Sequence, residues 1–423
     1  MSQDVIPARQ REIYLSGAAG SLPRVPVHPE RLQEAARRRL PREHYNYVAE
    51  GVGLDATARA NRAAFDRWCI VPRFLRDVTG RDTSLDLFGH RYASPVLLCP
   101  IGVLQVAHPE ADLAVARAAA ATGVPMIFSN QASVPMETCA AAMGDSPRWF
   151  QLYWSKSNEL VSSLVQRAEA VGCEALVVTL DTPLLGWRCD NLELGWLPFV
   201  RGMGLAQYTS DPVFQRLLDD PPPDEEPQPR RKLNLSSLRL LWDLARNYPG
   251  NPLENVRSGR AIASLKQFLR IYSRANLTWE DLAFLRGRTK LPILLKGILS
   301  PEDARLAVQH GMDGIIVSNH GGRQLDACVA SLDALPGVVK AVEGKIPVLF
   351  DSGIRTGADA FVALALGATA VCLGRPYVWG LALAGADGVV EVLRNLLADF
   401  SLNMSLAGCR TLADLRPDML QPR

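Results

Sequence analysis

From residue 95 onward, short apolar runs alternate with longer segments in which apolar residues recur every three to four positions. Apolar runs of this length, bounded by turn-forming residues, predict buried strands, and the amphipathic segments between them predict helices. The predicted strands are 96–99, 125–128, 149–152, 175–179, 292–296, 314–317, 347–350 and 370–373. The clearest predicted helices are 111–122, 160–171, 301–310 and 356–366.

Strands followed by helices in this rhythm favour an α/β fold, the TIM (β/α)8 barrel, whose catalytic groups cluster at the carboxyl ends of the strands. The helix at 301–310 has a strong start signal, because Ser300 can cap it and Pro301 suits its first turn. A doubly wound open sheet is the alternative. No Gly-x-Gly-x-x-Gly turn opens the first unit and no Walker lysine loop is present, which disfavours nucleotide-binding open sheets.

Two segments interrupt the alternation. Residues 1–94 precede the first strand, contain a helical stretch at 29–51, and are expected to form an extension that packs on the barrel of residues 95–423. Residues 181–276 form a connection far longer than usual, which predicts a functional insert such as a lid over the barrel mouth.

Within that insert, 236–247 and 260–274 have helical patterns, whereas 219–232 is rich in proline and charge and predicts a mobile loop. Membrane docking through Leu238, Leu240, Leu241 and Trp242 is a weaker alternative, because interfacial helices are usually more basic.

Composition narrows the class of protein. Apolar residues make up 48% of the 423 residues and charged residues 21%, which is typical of a globular enzyme. The net charge of +2, with no basic cluster among aromatics, argues against nucleic acid. The eight cysteines form no Cys-x-x-Cys pair, which favours a reducing compartment over disulfides or a metal site. With no apolar leader and no uninterrupted apolar span, we expect a cytoplasmic protein.

The segment Ser318-Asn319-His320-Gly321-Gly322-Arg323-Gln324 is the most informative one, since it follows a predicted strand. A proton acceptor and a bidentate cation three residues apart suit an anionic substrate that must lose a proton. Polar or charged residues follow the other strands in the same register, so we expect all these side chains to converge.

These residues are similar to those of the FMN-dependent α-hydroxy-acid oxidases and dehydrogenases, over roughly residues 30–415. The segment Ser-Asn-His-Gly-Gly-Arg-Gln is a specific signature of that family, and within the family the chain is most similar to lactate 2-monooxygenases. The other matching segments are Pro100-Ile101-Gly102-Val103, Phe150-Gln151-Leu152-Tyr153, Thr179-Leu180-Asp181-Thr182, Gly186-Trp187-Arg188, Leu295-Lys296-Gly297-Ile298, Phe350-Asp351-Ser352-Gly353-Ile354-Arg355-Thr356-Gly357 and Gly374-Arg375-Pro376-Tyr377.

The resemblance implies a catalytic group in which His320 is the base, Asp181 orients it, and Lys296 stabilises the reduced flavin. It implies that Tyr47, Tyr153, Arg188 and Arg323 bind the substrate. The implied cofactor is FMN, held by Pro100, Ile101, Gly102, Ser129, Gln151, Thr179, Lys296, Ser318, Asp351, Gly353, Arg355, Gly374 and Arg375. The implied partners are a small 2-hydroxy acid and oxygen, with no metal, nucleic acid or membrane, in a homotetramer or homo-octamer.

Each residue also has a simpler interpretation. Arg188 could pair with Asp190, Arg355 could pair with Asp359, and Lys296 could be solvated. Tyr47 on an amphipathic helix could belong to the core. Two departures from the family bear on activity: Gly102 replaces a common alanine near the flavin, and Gln131 or a neighbour replaces a common aromatic residue.

The sequence therefore predicts oxidation of an L-2-hydroxy acid, with L-lactate and coupled oxidative decarboxylation as the preferred case. An oxidase that releases peroxide, or a dehydrogenase that passes electrons to a quinone or carrier, is the alternative within the class. A flavin-binding barrel without turnover, or a flavin-free lyase that uses Lys296 as a Schiff base, belongs to other classes.

Overall fold

The computed structural model describes residues 7–219 and 234–423, and eight parallel strands close into a barrel at its centre. In chain order these strands, β1 to β8, are Val96–Leu98, Met126–Phe128, Arg148–Leu152, Leu176–Thr179, Ile293–Ile298, Gly314–Val317, Val348–Phe350 and Ala370–Leu373. β8 pairs with β1 to complete the circle. The predicted barrel is thus confirmed, with strand ends within two residues of those expected, and the open sheet is wrong.

Helices follow most strands, as the amphipathic pattern predicts. Their bounds are Ala8–Ala18, Pro29–Arg39, Arg42–Ala49, Ala56–Asp66, Ala111–Thr122, Met136–Met143, Asn158–Ala170, Cys189–Glu193, Ala206–Thr209, Pro212–Asp219, Leu235–Asn247, Pro252–Ser258, Arg260–Ile271, Leu282–Arg286, Pro301–Gln309, Ser331–Val342, Gly357–Ala365 and Arg375–Ala407. Ser300 caps its helix by accepting the backbone N–H of Glu302. None of the described helices is both long and apolar enough to cross a membrane.

The barrel interior has two layers of side chains. Successive side chains of a strand point to opposite faces, so every second residue points into the barrel. The lower layer is apolar and consists of Leu97, Ile127, Trp149, Val177, Leu294, Ile316 and Leu349. Two positions further along the same strands comes a layer of buried, mostly polar side chains: Cys99, Ser129, Gln151, Thr179, Lys296, Ser318 and Asp351. The strand period therefore places this second layer, called the polar floor below, at the carboxyl end of the barrel.

The N-terminal extension closes the opposite end. A hairpin of Leu85–Leu87 and His90–Tyr92 contributes Leu87 and Tyr92 to the interior cluster. The Tyr92 hydroxyl donates to Glu174 at 2.6 Å and accepts from the Trp149 indole at 3.2 Å. The barrel is thus plugged at its amino end.

Elsewhere the extension differs from the expected helical stretch at 29–51. Two helices occupy it, Pro29–Arg39 and Arg42–Ala49, separated at Leu40 and Pro41. The physical reason is that a residue before proline is biased away from the helical conformation.

The insert between β4 and β5 is mostly helical. Phe268 packs its ring against Phe199 at 5.3 Å and Tyr208 at 4.9 Å between centroids. The expected mobile loop at 219–232 lies outside the described residues, apart from Asp219 at the end of a helix. On the helix Leu235–Asn247, Leu238 and Trp242 are exposed, whereas Leu240 packs against a small buried cluster.

Candidate active site

A cavity lies at the carboxyl end of the barrel, above the polar floor. The predicted site residues that line it are Tyr47, Pro100, Ile101, Gly102, Tyr153, Arg188, Lys296, His320, Arg323, Asp351, Gly353, Arg355, Gly374 and Arg375. Of the remaining ones, Asp181 and Ser318 are hydrogen-bonded to His320 and Lys296, whereas Ser129, Gln151 and Thr179 belong to the buried polar floor. The fold thus brings together residues that are up to 328 positions apart (375 − 47).

His320 and Asp181 form a hydrogen-bonded pair, in which His320 Nδ1 donates to Asp181 Oδ1 at 2.8 Å. This bond leaves the lone pair of Nε2 available to accept a proton. Burial lowers the pKa of His320, Asp181 raises it, and the positive charges of Lys296 and Arg323 lower it, so the net direction is downward. A neutral imidazole is the form that can accept a proton, so the lowered pKa suits His320 to act as a base.

Lys296 is buried and ion-paired rather than solvated. Its ammonium lies 3.1 Å from Asp351 Oδ2 and donates to the Ser318 hydroxyl at 2.8 Å. Burial lowers the pKa of Lys296, but the charges of Asp351 and Asp181 outweigh that effect and raise it overall. A lysine that stays protonated is a fixed positive charge and a poor Schiff-base nucleophile.

Arg188 and Arg323 flank the ring of Tyr47, with guanidinium carbons 5.7 Å and 5.2 Å from its centroid. Arg323 donates to the backbone oxygen of Glu50 at 2.9 Å, and Arg188 donates over a long distance of 3.5 Å to the Gln324 side-chain oxygen. Both guanidiniums therefore meet at one wall of the cavity, where a carboxylate could bridge them.

Arg355 and Arg375 lie at another wall, after β7 and β8. Burial lowers the pKa of Arg355 to about 9, and the nearby charges of Arg375 and Arg62 contribute. Arg375 donates to the backbone oxygens of Val48 and Gly321 at 2.9 and 3.0 Å.

None of the four cavity arginines forms an ion pair with a carboxylate within 7–219 or 234–423. The pairings of Arg188 with Asp190 and of the Arg355 side chain with Asp359 are accordingly absent from these ranges; Asp359 instead accepts the Arg355 backbone N–H at 2.8 Å. Buried or partly buried guanidiniums that repel one another favour bound anions, and the arrangement suits one anion at each wall.

The comparisons with known proteins agree with this geometry. The model of the FMN-dependent dehydrogenase family matches residues 36–422. The chain belongs to this family. An L-lactate oxidase of Lysinibacillus sphaericus is 41% identical over 91% of this chain and 90% of its own length. A 4-hydroxymandelate oxidase of Amycolatopsis orientalis is 39% identical over 91% of this chain and 95% of its own.

Among solved structures, a mandelate oxidase with (S)-4-hydroxymandelic acid is similar in fold. Its TM-score is 0.77 and its identity 38%, over 94% of this chain and 99% of that one. As a member of the FMN-dependent dehydrogenase family, the protein is an FMN-dependent α-hydroxy-acid oxidoreductase.

The residues present fit FMN. Among buried side-chain atoms, Gln151 Nε2 and Thr179 Oγ1 have no hydrogen-bond partner within the described chain. Both belong to the polar floor, where the edge of a flavin ring offers acceptors and donors. The unpaired cations Arg355 and Arg375 suit the phosphate, since they follow the strands that hold phosphate in TIM barrels.

Sequence reasoning missed several residues of the cavity wall. Leu185, Phe199 and Tyr272 come from the insert, and Ser352 follows β7. The insert residues carried no local signal, because only tertiary packing folds the insert onto the barrel mouth. Ser352 lay within a matched segment. Its hydroxyl, however, contacts the loop after the neighbouring strand, and one segment of sequence cannot predict such a contact.

Proposed function

We propose that the protein oxidises an L-2-hydroxy acid, with L-lactate as substrate, and couples this to oxidative decarboxylation. The observation that carries the proposal is the His320–Asp181 pair lying in one cavity with the clamp of Arg188 and Arg323. An L-2-hydroxy acid needs both elements at once: a base for one proton and cations for its carboxylate. The similarity to an L-lactate oxidase supports the substrate.

In this proposal Arg188 and Arg323 bind the substrate carboxylate, and Tyr47 and Tyr153 bind its oxygens. Burial raises the pKa of Tyr153 to about 12, so its hydroxyl stays protonated and donates. His320 Nε2 takes the proton released on oxidation, from Cα or from the hydroxyl. Asp181 then stabilises the imidazolium, because its carboxylate lies 2.8 Å from Nδ1.

FMN, when bound, would supply the two-electron acceptor for this oxidation, and oxygen would be the final acceptor. Lys296, held beside the polar floor, provides a fixed positive charge for the reduced ring. Ser129, Gln151, Thr179, Ser318 and the backbone of Pro100 to Gly102 would contact the ring; Asp351 would bind the ribityl chain, and Gly353, Arg355, Gly374 and Arg375 the phosphate.

Whether the enzyme releases pyruvate or acetate depends on how long pyruvate stays in the cavity. Lactate and oxygen give pyruvate and hydrogen peroxide, and retained pyruvate reacts with that peroxide to give acetate, carbon dioxide and water. The two arginines would hold pyruvate, and Phe199 and Tyr272 of the insert would restrict its exit, so release decides between the two product sets.

The test is product analysis with L-lactate under air. We expect acetate and carbon dioxide with little free peroxide, and no change when catalase is added. Pyruvate and peroxide in equal amounts would make the protein an oxidase. Reduction of the flavin without reaction with oxygen would favour a dehydrogenase that uses a carrier. Fast turnover of a larger hydroxy acid alone would overturn lactate as the substrate.

A further inference from the structure

Ser352 adopts a backbone conformation that serines rarely adopt. It directly follows Asp351 at the carboxyl end of β7, is 8% exposed, and has a φ of 83°. A residue with a Cβ is strained there, whereas glycine would be relaxed. Strained residues persist where the surrounding contacts require them, so the side chain is expected to have a specific function.

The hydroxyl of Ser352 is fully engaged. It accepts the backbone N–H of Gly321 at 3.0 Å and that of Asn319 at 3.4 Å, on either side of His320. It donates to Asp351 Oδ1 at 2.7 Å. One side chain thus links the end of β7 to the loop that presents the base.

That loop is itself unusual. His320, Gly321 and Gly322 have φ values of 59°, 66° and 78°, three consecutive residues in the left-handed region. A histidine is strained in this region, so other contacts must hold it there.

A second serine completes the arrangement. Ser318 Oγ accepts the backbone N–H of His320 at 3.0 Å and receives the Lys296 ammonium at 2.8 Å. Since Lys296 pairs with Asp351, both ends of this buried ion pair are connected through a serine hydroxyl to the backbone around His320.

We propose that Ser352 is a positioning residue that fixes His320 by tying its loop to the Lys296–Asp351 pair. The proposal rests on the proposed function of His320 as the base. The Ser352 hydroxyl would keep His320 at a constant distance from the Lys296–Asp351 pair. This distance matters because a shift of about 1 Å can cost roughly 10²-fold in rate.

Two substitutions separate the hydroxyl from the backbone strain. Ser352→Gly removes the hydroxyl and relieves the strain, whereas Ser352→Ala removes the hydroxyl and keeps it. If the hydroxyl positions the loop, both variants should reduce their flavin anaerobically at least about tenfold more slowly than the wild type, with FMN still bound. Leu75→Gly is the control, because Leu75 has a φ of 60°, is fully exposed and does not line the cavity.

A second measurement does not require turnover. NMR titration of imidazole-labelled, FMN-loaded protein, with His320→Ala to assign the resonance, should show a higher pKa for His320 in both variants as the loop relaxes towards water. A purely structural role of Ser352 would lower the melting temperature without moving this pKa.

The outcomes are distinct. Normal reduction and an unmoved pKa in Ser352→Gly would overturn the proposal, as would a slow Ser352→Ala beside a normal Ser352→Gly. A further outcome is that no 2-hydroxy acid reduces the flavin of the wild type, while the pKa of His320 still rises in both variants. In that case the proposed function fails and the positioning contact stands.

Discussion

At the residue scale, the cavity contains a few charged groups whose environments differ sharply. His320 is kept neutral although Asp181 lies 2.8 Å away, because burial and two neighbouring cations oppose the carboxylate. Lys296, in contrast, keeps its proton because two carboxylates outweigh its burial. A neutral base beside a fixed cation is what removal of a proton next to an electron acceptor requires.

The first prediction concerns Asp181→Asn. Asp181 raises the pKa of His320, so its removal should lower that pKa further. The acid limb of the kcat/KM profile, where protonation of His320 stops turnover, should therefore move to lower pH. The plateau should fall by about 10²–10⁴-fold, because the imidazolium loses its partner.

The measurement is the pH dependence of anaerobic flavin reduction for both proteins, with FMN content as the control. His320→Ala should bind FMN and lack the acid limb altogether. An acid limb that moves to higher pH in Asp181→Asn would show that another group titrates.

At the scale of elements, the strands were the most predictable part of the molecule. Their apolar runs and turn signals are local, so the sequence gives their positions within two residues, and strand periodicity places Lys296, Ser318 and Asp351 on the floor. The pairing of Trp68–Ile70 with Leu420–Pro422 has no such signal, because its partners are at least 350 residues apart (420 − 70).

The insert was less predictable for a related reason. Its helices have amphipathic patterns, but which side chains reach the cavity depends on packing between helices that single segments do not encode. Phe199 reaches the cavity because its ring is held against Phe268. The signature segment revealed His320 and Arg323, whereas no segment revealed Phe199 or Tyr272.

The second prediction belongs to this element. Phe199→Ala should open the wall that the insert adds to the cavity, since a truncated aromatic leaves a void. With L-lactate under air, a larger share of product should appear as pyruvate and free peroxide, while anaerobic flavin reduction keeps its rate. Leu238→Ala, on an exposed position of the same insert, should leave both quantities unchanged. An unchanged product ratio in Phe199→Ala would exclude this wall from product retention.

At the scale of the whole molecule, the cavity concentrates positive charge that the described protein does not neutralise. Burial lowers the pKa of Arg355 to about 9 and that of Arg375 to about 10. Neighbouring arginines also lower both, whereas the carboxylates of Asp359 and Asp55 raise them and offset only part of the decrease. The protein without FMN thus carries repulsion that its cofactor should relieve.

The third prediction follows from this repulsion. FMN at about 100 times its dissociation constant should stabilise the protein by about 2.7 kcal/mol, visible as a higher melting temperature. Arg355→Met should leave the apoprotein as stable or more stable, yet shrink the increment that FMN provides. Arg305→Met, whose arginine is exposed and paired with Glu302, should change neither value. A destabilised Arg355→Met apoprotein with a full FMN increment would contradict this view.

The plug formed by Tyr92, Leu87 and Trp149 has a consequence for kinetics. Within the described residues the barrel is filled at its amino end, so we expect substrate and oxygen to reach the flavin from the opposite end. The hydroxy acid and oxygen therefore share one entrance. A second molecule of hydroxy acid that binds before oxygen arrives should slow the reaction of oxygen with the reduced flavin. Excess substrate should act as its own inhibitor, and more dissolved oxygen should relieve that inhibition.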